Sequence, residues 1–182
     1  MNFIKKITNH LLGHTSEKEN RLSRGMRVGK NTNIYSWSGM DGNWPWLISV
    51  GDNVTISSDV TILAHDASPC KVGCHTKLGR VTIGNNVFIG AKSVVLCNTT
   101  IGDDVIIGAG SVVVGNLESG YVYAGNPARK ICSITDYAKK HQQSNDERPD
   151  LSKIRRWDDW DSSSLEEREK MLSLLEDGCG YI

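Results

Sequence analysis

The chain has 182 residues, 21 Lys plus Arg against 21 Asp plus Glu, 38% apolar and 23% charged residues. That composition describes one soluble globular domain with a short appendage and excludes a disordered chain. Zero formal charge lacks the basic excess of a nucleic-acid binder, and no run of about 18 apolar residues is present to span a membrane.

The opening MNFIKKITNHLLGH has neither an unbroken apolar stretch nor a small-residue cleavage site, so no secretory signal is expected. Phe3, Ile4, Ile7, Leu11 and Leu12 form a helical stripe, and residues 1–27 are expected to cap the open end of the repeat region downstream, with a membrane-surface helix as the rival. Residues 1–49 carry 7 basic and 3 acidic groups, residues 133–182 carry 8 and 12; solvated faces are the simplest account.

From Val50 a six-residue period governs the chain: VGDNVT, ISSDVT, ILAHDA, then IGNNVF, IGAKSV, VLCNTT, IGDDVI, IGAGSV and VVGNLE. The lead positions Val50, Ile56, Ile62, Ile83, Ile89, Val95, Ile101, Ile107 and Val113 are all Val or Ile, often followed by Gly, which suits a tight corner. Four residues after each lead stand mostly small or β-branched residues, with Asp66 breaking that class and Leu117 closing the series. A helix repeats at 3.6 and an alternating strand at 2, so a period of six predicts an all-β parallel solenoid of short strands and corners, three sixes to a coil.

Two intervals break the phase. Ile62 to Ile83 requires an outward loop near 67–81, and VGKNTN at 28–33 is out of step with Val50, which puts a second irregularity at 35–47 in YSWSGMDGNWPWL. Function tends to sit in such loops on a rigid scaffold. The solenoid domain is thus read as 28–132, and a helical extension as 133–182: ITDYAKKHQQ is helix-like, SNDERPD is a polar break at Pro149, and SSSLEEREKMLSLLEDG has a Ser cap, an acidic first turn, Leu165, Met171, Leu172 and Leu175, and Gly178 as a stop. That last helix is expected against the solenoid's flank or a neighbouring subunit. The odd set Cys70, Cys74, Cys97, Cys132 and Cys179 forms no disulfide framework and suits reduced thiols in the cytoplasm, or at the inner face of the membrane. Cys70, Cys74 and His75 lack a second ligand pair, so no metal is expected.

The motifs IGNNVFIGAKSVV, IGDDVIIGAGSVV and AGNPARKI resemble the left-handed β-helix (hexapeptide-repeat) acetyltransferases, the maltose and galactoside acetyltransferases among them. PWLISVGDNVTISSDVTILAHDAS and the closing LLEDGCGYI are similar to members of bacterial surface-polysaccharide biosynthesis, including lipopolysaccharide. The resemblance covers about 45–182. It alone supplies the left hand, since the usual crossover rule favours the right. It implies a homotrimer, with acetyl-CoA in the groove between adjacent prisms; association of flat faces would also enlarge a thin core.

By the same resemblance His65, in the last repeat before the bulge, inherits the catalytic role. Acetyl transfer from a thioester needs a base for the attacking hydroxyl or amine, and imidazole suits neutral pH. Ala91 and Ala109 match positions where pantetheine approaches the backbone, Phe88 flanks the cofactor arm, and Arg129 with Lys130 matches the phosphate contact, for which cation pairing is the reason. Asp66 either faces the groove, as a substrate contact or imidazole-orienting group, or anchors its corner to backbone. Of Trp37, Trp44 and Trp46, either one lines the acceptor site, with Trp37 and Trp46 the candidates, or all pack their loop onto the prism. His75 is expected exposed or beside the substrate, and His10, His14 and His141 outside catalysis. The expected function is acetyl-CoA-dependent acetylation of a sugar, nucleotide-sugar or glycan. A non-catalytic binding or assembly protein, and acetylation of a xenobiotic or other small molecule, are the alternatives.

Overall fold

The computed structural model describes residues 16–153 and 163–176, together with Cys179 and Tyr181. The expected apolar stripe of residues 3–12, His10, His14 and Gly178 lie outside the described residues. The chain divides into two units, Met1–Ile134 and Thr135–Ile182.

In the first unit, two- to four-residue strands stack from coil to coil into three parallel faces. The first face holds Arg27–Val28, Ile48–Val50, Val81–Ile83, Thr99–Ile101 and Asn116–Leu117. The second holds Asn33–Ile34, Thr55–Ile56, Phe88–Ile89, Ile106–Ile107 and Tyr121–Ala124, closed by the antiparallel Arg129–Ser133. The third holds Thr61–Ile62, Val94–Val95 and Val112–Val113, with Met40 bridging onto Ile62. Val50, Ile83 and Ile101 stand in register, as do Ile56, Ile89 and Ile107, and Ile62, Val95 and Val113. All nine are buried, as are Val54, Val60, Val87, Ser93, Thr99, Val105 and Ser111 on the intervening rows. The core is therefore a set of β-branched ladders, which the pleated backbone favours over a helix. Leu117 pairs with Ile101 and so leads its own strand, two residues earlier than a strict period allows.

Both irregularities are insertions at corners. Val28 pairs with Val50 and Val50 with Ile83, whereas Ile83 pairs with Ile101 eighteen residues on. The first insertion carries the 3-10 turns Trp37–Gly39 and Pro45–Leu47. The second leaves through His65–Asp66, turns through the 3-10 segment Ser68–Val72 and returns antiparallel through Lys77–Leu78. Helix α1, Glu17–Ser23, has Ser16 and Glu19 in a capping box and no buried residue. It packs beside the two 3-10 turns of the first insertion.

The corners correct one reading of the sequence. The glycines directly after the leads do not supply the left-handed backbone; Asn31, Asn53, Asp59, Asn86, Lys92, Asn98 and Asp104 do, with φ between 52 and 62°, together with Gly110, Gly115 and Gly120. The short side chains of Asn and Asp tolerate that region by bonding locally. Here Asn31 Nδ2 donates to Asn53, Asn53 Nδ2 to Asn86, and Asn86 Nδ2 to Asp104, at 3.0–3.2 Å, a ladder up one corner. Glycine is needed for close approach: a Cβ on Gly90 would stand 2.5 Å from the Ala109 nitrogen of the next coil.

Helix α2 spans Ile134–Glu147 and so takes in residues 144–147 of the segment expected as a polar break, ending two residues before Pro149. Helix α3 spans Leu165–Leu174 with Ser164 and Glu167 in a capping box and no buried side chain. Tyr181 pairs with Asp150, and its hydroxyl lies 3.1 Å from His141 Nδ1.

Among the buried polar side chains of the described residues, Thr99 Oγ1 stands without a hydrogen-bond partner, whereas Ser93 and Ser111 donate to Gly90 and Gly108 carbonyls at 2.8 and 2.6 Å. An unmet buried hydroxyl destabilises the fold. Thr99→Val, isosteric and beside Val81, is expected to stabilise the protein by about 1 kcal/mol, read as a raised urea midpoint with unchanged slope.

Candidate active site

The two insertions meet at one corner, after the third face. Met40 occupies the third-face position of the first coil, and the amide of Asp41 donates to the Ile62 carbonyl at 2.9 Å. Coil stacking thereby sets Asp41 opposite the end of the Thr61–Ile62 strand, three residues before His65. The Asp41 side chain is fully buried. Its Oδ1 accepts the Asn43 and Trp44 amides at 2.9 and 3.2 Å, and its Oδ2 accepts the Ala64 amide at 2.8 Å. The same Oδ2 lies 2.5 Å from His65 Nδ1.

Burial alone would push the Asp41 carboxyl up, but the His65 ring and the amides of Asn43, Trp44 and Ala64 together hold it below its ordinary value of 3.8. A carboxylate only accepts, so Nδ1 of His65 carries the proton in this pair and the neutral ring keeps its lone pair on Nε2. The His65 side chain is 24% exposed, and Trp44 covers part of it with ring centroids 4.6 Å apart and planes tilted by 53°. An imidazole fixed in tautomer by a buried carboxylate, half-covered by an indole, is the arrangement a general base requires.

Asp41 was not among the candidates the sequence offered; its single cue is the break of phase at 35–47. Asp66 does not bond His65. It is exposed, and its Oδ1 accepts the Ser68 amide at 2.9 Å; the Ser68 amide and hydroxyl, then Lys77, hold its carboxyl below the ordinary value. The indole at the histidine is that of Trp44. Trp37 packs against the core with the Lys18 ammonium 5.7 Å from its ring, and Trp46 is exposed with the Arg24 guanidinium 5.8 Å from its ring. His75 is exposed, as are Cys70 and Cys74, with Cys70 Sγ 3.4 Å from Thr76 Oγ1. No group of three or more His, Cys, Asp or Glu side chains that could hold a metal occurs among the described residues.

The remaining candidates lie on the second face and on the corner between it and the third. Ser58, Ala91 and Ala109 follow one another up the corner between the second and third faces, with Lys92 N donating to Ser58 O and Gly110 N to Ala91 O. Arg129 pairs with Ala124, which stacks on Gly108 of the same corner, and its Nη1 donates to the Ala128 carbonyl at 3.3 Å. Lys130 lies 2.7 Å from Glu118, whose carboxylate raises the ammonium's pKa, and its Nζ stands 3.7 Å from the Tyr121 ring centroid. Phe88 is exposed on the second face beside Thr55 and Ile106.

A parallel three-faced solenoid of six-residue repeats defines a class, and the comparisons with known proteins name it. The bacterial transferase hexapeptide (six repeats) family matches residues 80–115. Protein CapG of Staphylococcus aureus is 36% identical over 148 residues, 79% of this chain and 86% of CapG. A galactoside acetyltransferase solved in complex with coenzyme A superposes with a TM-score of 0.54 at 24% identity, covering 68% of this chain and 81% of that one. A hexapeptide-repeat acetyltransferase of Vibrio cholerae, solved with acetyl coenzyme A, superposes with a TM-score of 0.51 at 24% identity, over 60% of this chain and 61% of that one. The chain belongs to the hexapeptide-repeat acetyltransferase family, and its solenoid is the family's left-handed β-helix. No helix among the described residues is long and apolar enough to cross a membrane.

The depressed carboxyl of Asp41 gives a pH prediction. Its stabilising contribution is present above the unfolded value of 3.8 and is lost as pH falls through the lower folded value. Asp41→Asn is expected to be less stable than the parent at neutral pH, with the gap in urea midpoint narrowing below about pH 4.

Proposed function

We propose that the protein transfers the acetyl group of acetyl-CoA to a hydroxyl of a sugar, free or carried on a nucleotide or glycan, in bacterial surface-polysaccharide synthesis, with His65 as general base. The observation that carries this reading is the 2.5 Å contact of His65 Nδ1 with the buried Asp41 carboxylate. Acetyl-CoA supplies an acyl group already activated as a thioester, so His65 has only a proton to move. Its Nε2 takes the proton of the acceptor hydroxyl as that oxygen bonds the thioester carbonyl carbon; the C–S bond then breaks, and the imidazolium, held and stabilised by Asp41, gives the proton to the departing coenzyme A thiolate. An amine acceptor would use the same base. Trp44, lying over His65, offers an apolar ring for the C–H face of a pyranose.

The small side chains of Ser58, Ala91 and Ala109 leave the corner between the second and third faces open to a narrow ligand such as the pantetheine arm. Phe88 lies on the adjoining face, and Arg129 and Lys130 stand at the corner's end for phosphate. His65 is on the opposite edge of the third face. A site holding both sets of groups is completed by a second copy of the chain, as a homotrimer provides. The outward rows support that assembly. The first face presents Arg27, Ser49, Thr82, Thr100 and Asn116 in register, all polar. The second presents Asn33, Thr55, Phe88 and Ile106 in register, and the third Thr61, Val94 and Val112, so both turn apolar toward the later coils. A closed ring with head-to-tail contacts uses two different surfaces of each subunit, and the second and third faces each offer an apolar stretch in their later coils.

The test mixes the protein and acetyl-CoA with a panel of sugars and nucleotide-sugars and follows free thiol. His65→Ala is expected to lower kcat about 10²- to 10⁴-fold, and full turnover by this variant would refute the mechanism. Arg129→Ala is expected to raise KM for acetyl-CoA several-fold with kcat retained, because its charge meets a part of the ligand remote from the reacting carbonyl. No heat on titration with coenzyme A, together with no thiol release, would instead favour a binding or assembly protein.

A further inference from the structure

Asp41 lies on a loop, yet a general base needs its partner fixed to within a fraction of an ångström. The turn Met40–Trp44 is gripped from two sides. On the inner side the Asn43 and Trp44 amides point at the Asp41 carboxylate. On the outer side the carbonyls are taken by two arginines of the N-terminal segment. Arg21, on the last turn of α1, donates from Nε to the Met40 carbonyl at 3.0 Å. Arg24 donates from Nη1 to the Gly42 carbonyl and from Nη2 to the Asn43 carbonyl, the latter at 2.9 Å.

Both guanidiniums are themselves held. The Arg21 side chain is 11% exposed, bonded to Asn20 Oδ1 at 3.0 Å and paired with Glu17 at 2.8 Å. Gly42 lies against it, so closely that a Cβ there would stand 3.2 Å from Nη2. Arg24 rests over the Trp46 ring. These are two of the basic residues whose excess at the N-terminal end suggested no more than a solvated face.

We propose that Arg21 and Arg24 are positioning residues for the acetyl-transfer site: by clamping the carbonyls of Met40, Gly42 and Asn43 they hold Asp41 against His65 Nδ1 and so set the direction of Nε2. The clamp touches neither substrate nor reacting atoms, and its catalytic consequence rests on the reading of His65 as the base. The Arg21 guanidinium meets the Met40 carbonyl, Asn20 and Glu17 from one planar group, an arrangement an ammonium does not reproduce, so lysine replaces Arg21 incompletely.

The experiment uses the full chain labelled with 15N-histidine. A strong Nδ1–H to carboxylate bond gives a far-downfield proton resonance, identified by its absence in His65→Ala. The parent is expected to show it. Arg21→Ala and Arg24→Ala are expected to lose or exchange-broaden it while keeping the parent's circular dichroism, and Arg21→Lys to retain part of it. With acetyl-CoA and the best sugar of the panel, Arg21→Ala is expected to lose about tenfold or more in kcat while KM for acetyl-CoA stays within twofold. Folded Arg21→Ala and Arg24→Ala proteins that keep the resonance at the parent's exchange rate overturn the proposal, as does a parent that lacks it. If Arg21→Ala does not fold, Arg24→Ala, a change at an exposed side chain, decides on the same signal. Loss of the resonance in a protein that acetylates nothing leaves the clamp standing and removes the acetyltransferase reading.

Discussion

Every part of the first unit is referred to the hydrogen bonds that join one coil to the next. They fix the vertical spacing of the chain, and the side chains answer to that spacing. Where an inward residue stacks on its counterpart, a β-branched side chain fills the ladder, as at Ile56, Ile89 and Ile107. Where backbone meets backbone, a Cβ has no room, as at Gly90 above Ala109. Where one corner bends into the left-handed region, Asn31, Asn53, Asn86 and Asp104 take the position and bond from coil to coil. The stack is thus a single constraint met by three kinds of residue.

The Asp–His pair is a by-product of the same stacking. Asp41 and His65 are 24 residues apart, yet both follow a third-face position, and the Asp41 amide bonds to Ile62 as any residue of one coil bonds to the next. Three backbone amides then favour the charged form of a carboxylate that burial disfavours, and the histidine is left with one defined tautomer. A loop residue gains the precision of a strand because it begins on one.

The period of six and its two interruptions were readable in the sequence, because a β-branched lead every sixth residue has no helical or alternating explanation. His65 was readable only through its place in that pattern together with a family resemblance. Asp41 was not, because it lies in GMDGN, where no repeat marks an inward or outward side, and its partner is remote in sequence. Which tryptophan stands beside the imidazole was not readable for a related reason: two 3-10 turns reorient successive side chains, and Trp44 is the one that reaches it. The glycines after the leads were read as bends, since sequence alone does not separate a residue chosen for its dihedral angles from one chosen for lack of a side chain. The basic residues Arg21 and Arg24 carried no signal, because their acceptors are main-chain carbonyls, which every residue has.

The two insertions differ in length, but both begin and end at strands whose pairing ignores them: Val28 meets Val50, and Val50 meets Ile83, in the register Ile83 keeps with Ile101. The architecture therefore uncouples foldability from chemical novelty. Chain can be gained or lost at such a bend without disturbing the layers above and below, so over evolutionary time the loops around His65 are free to diversify while the scaffold itself stays still.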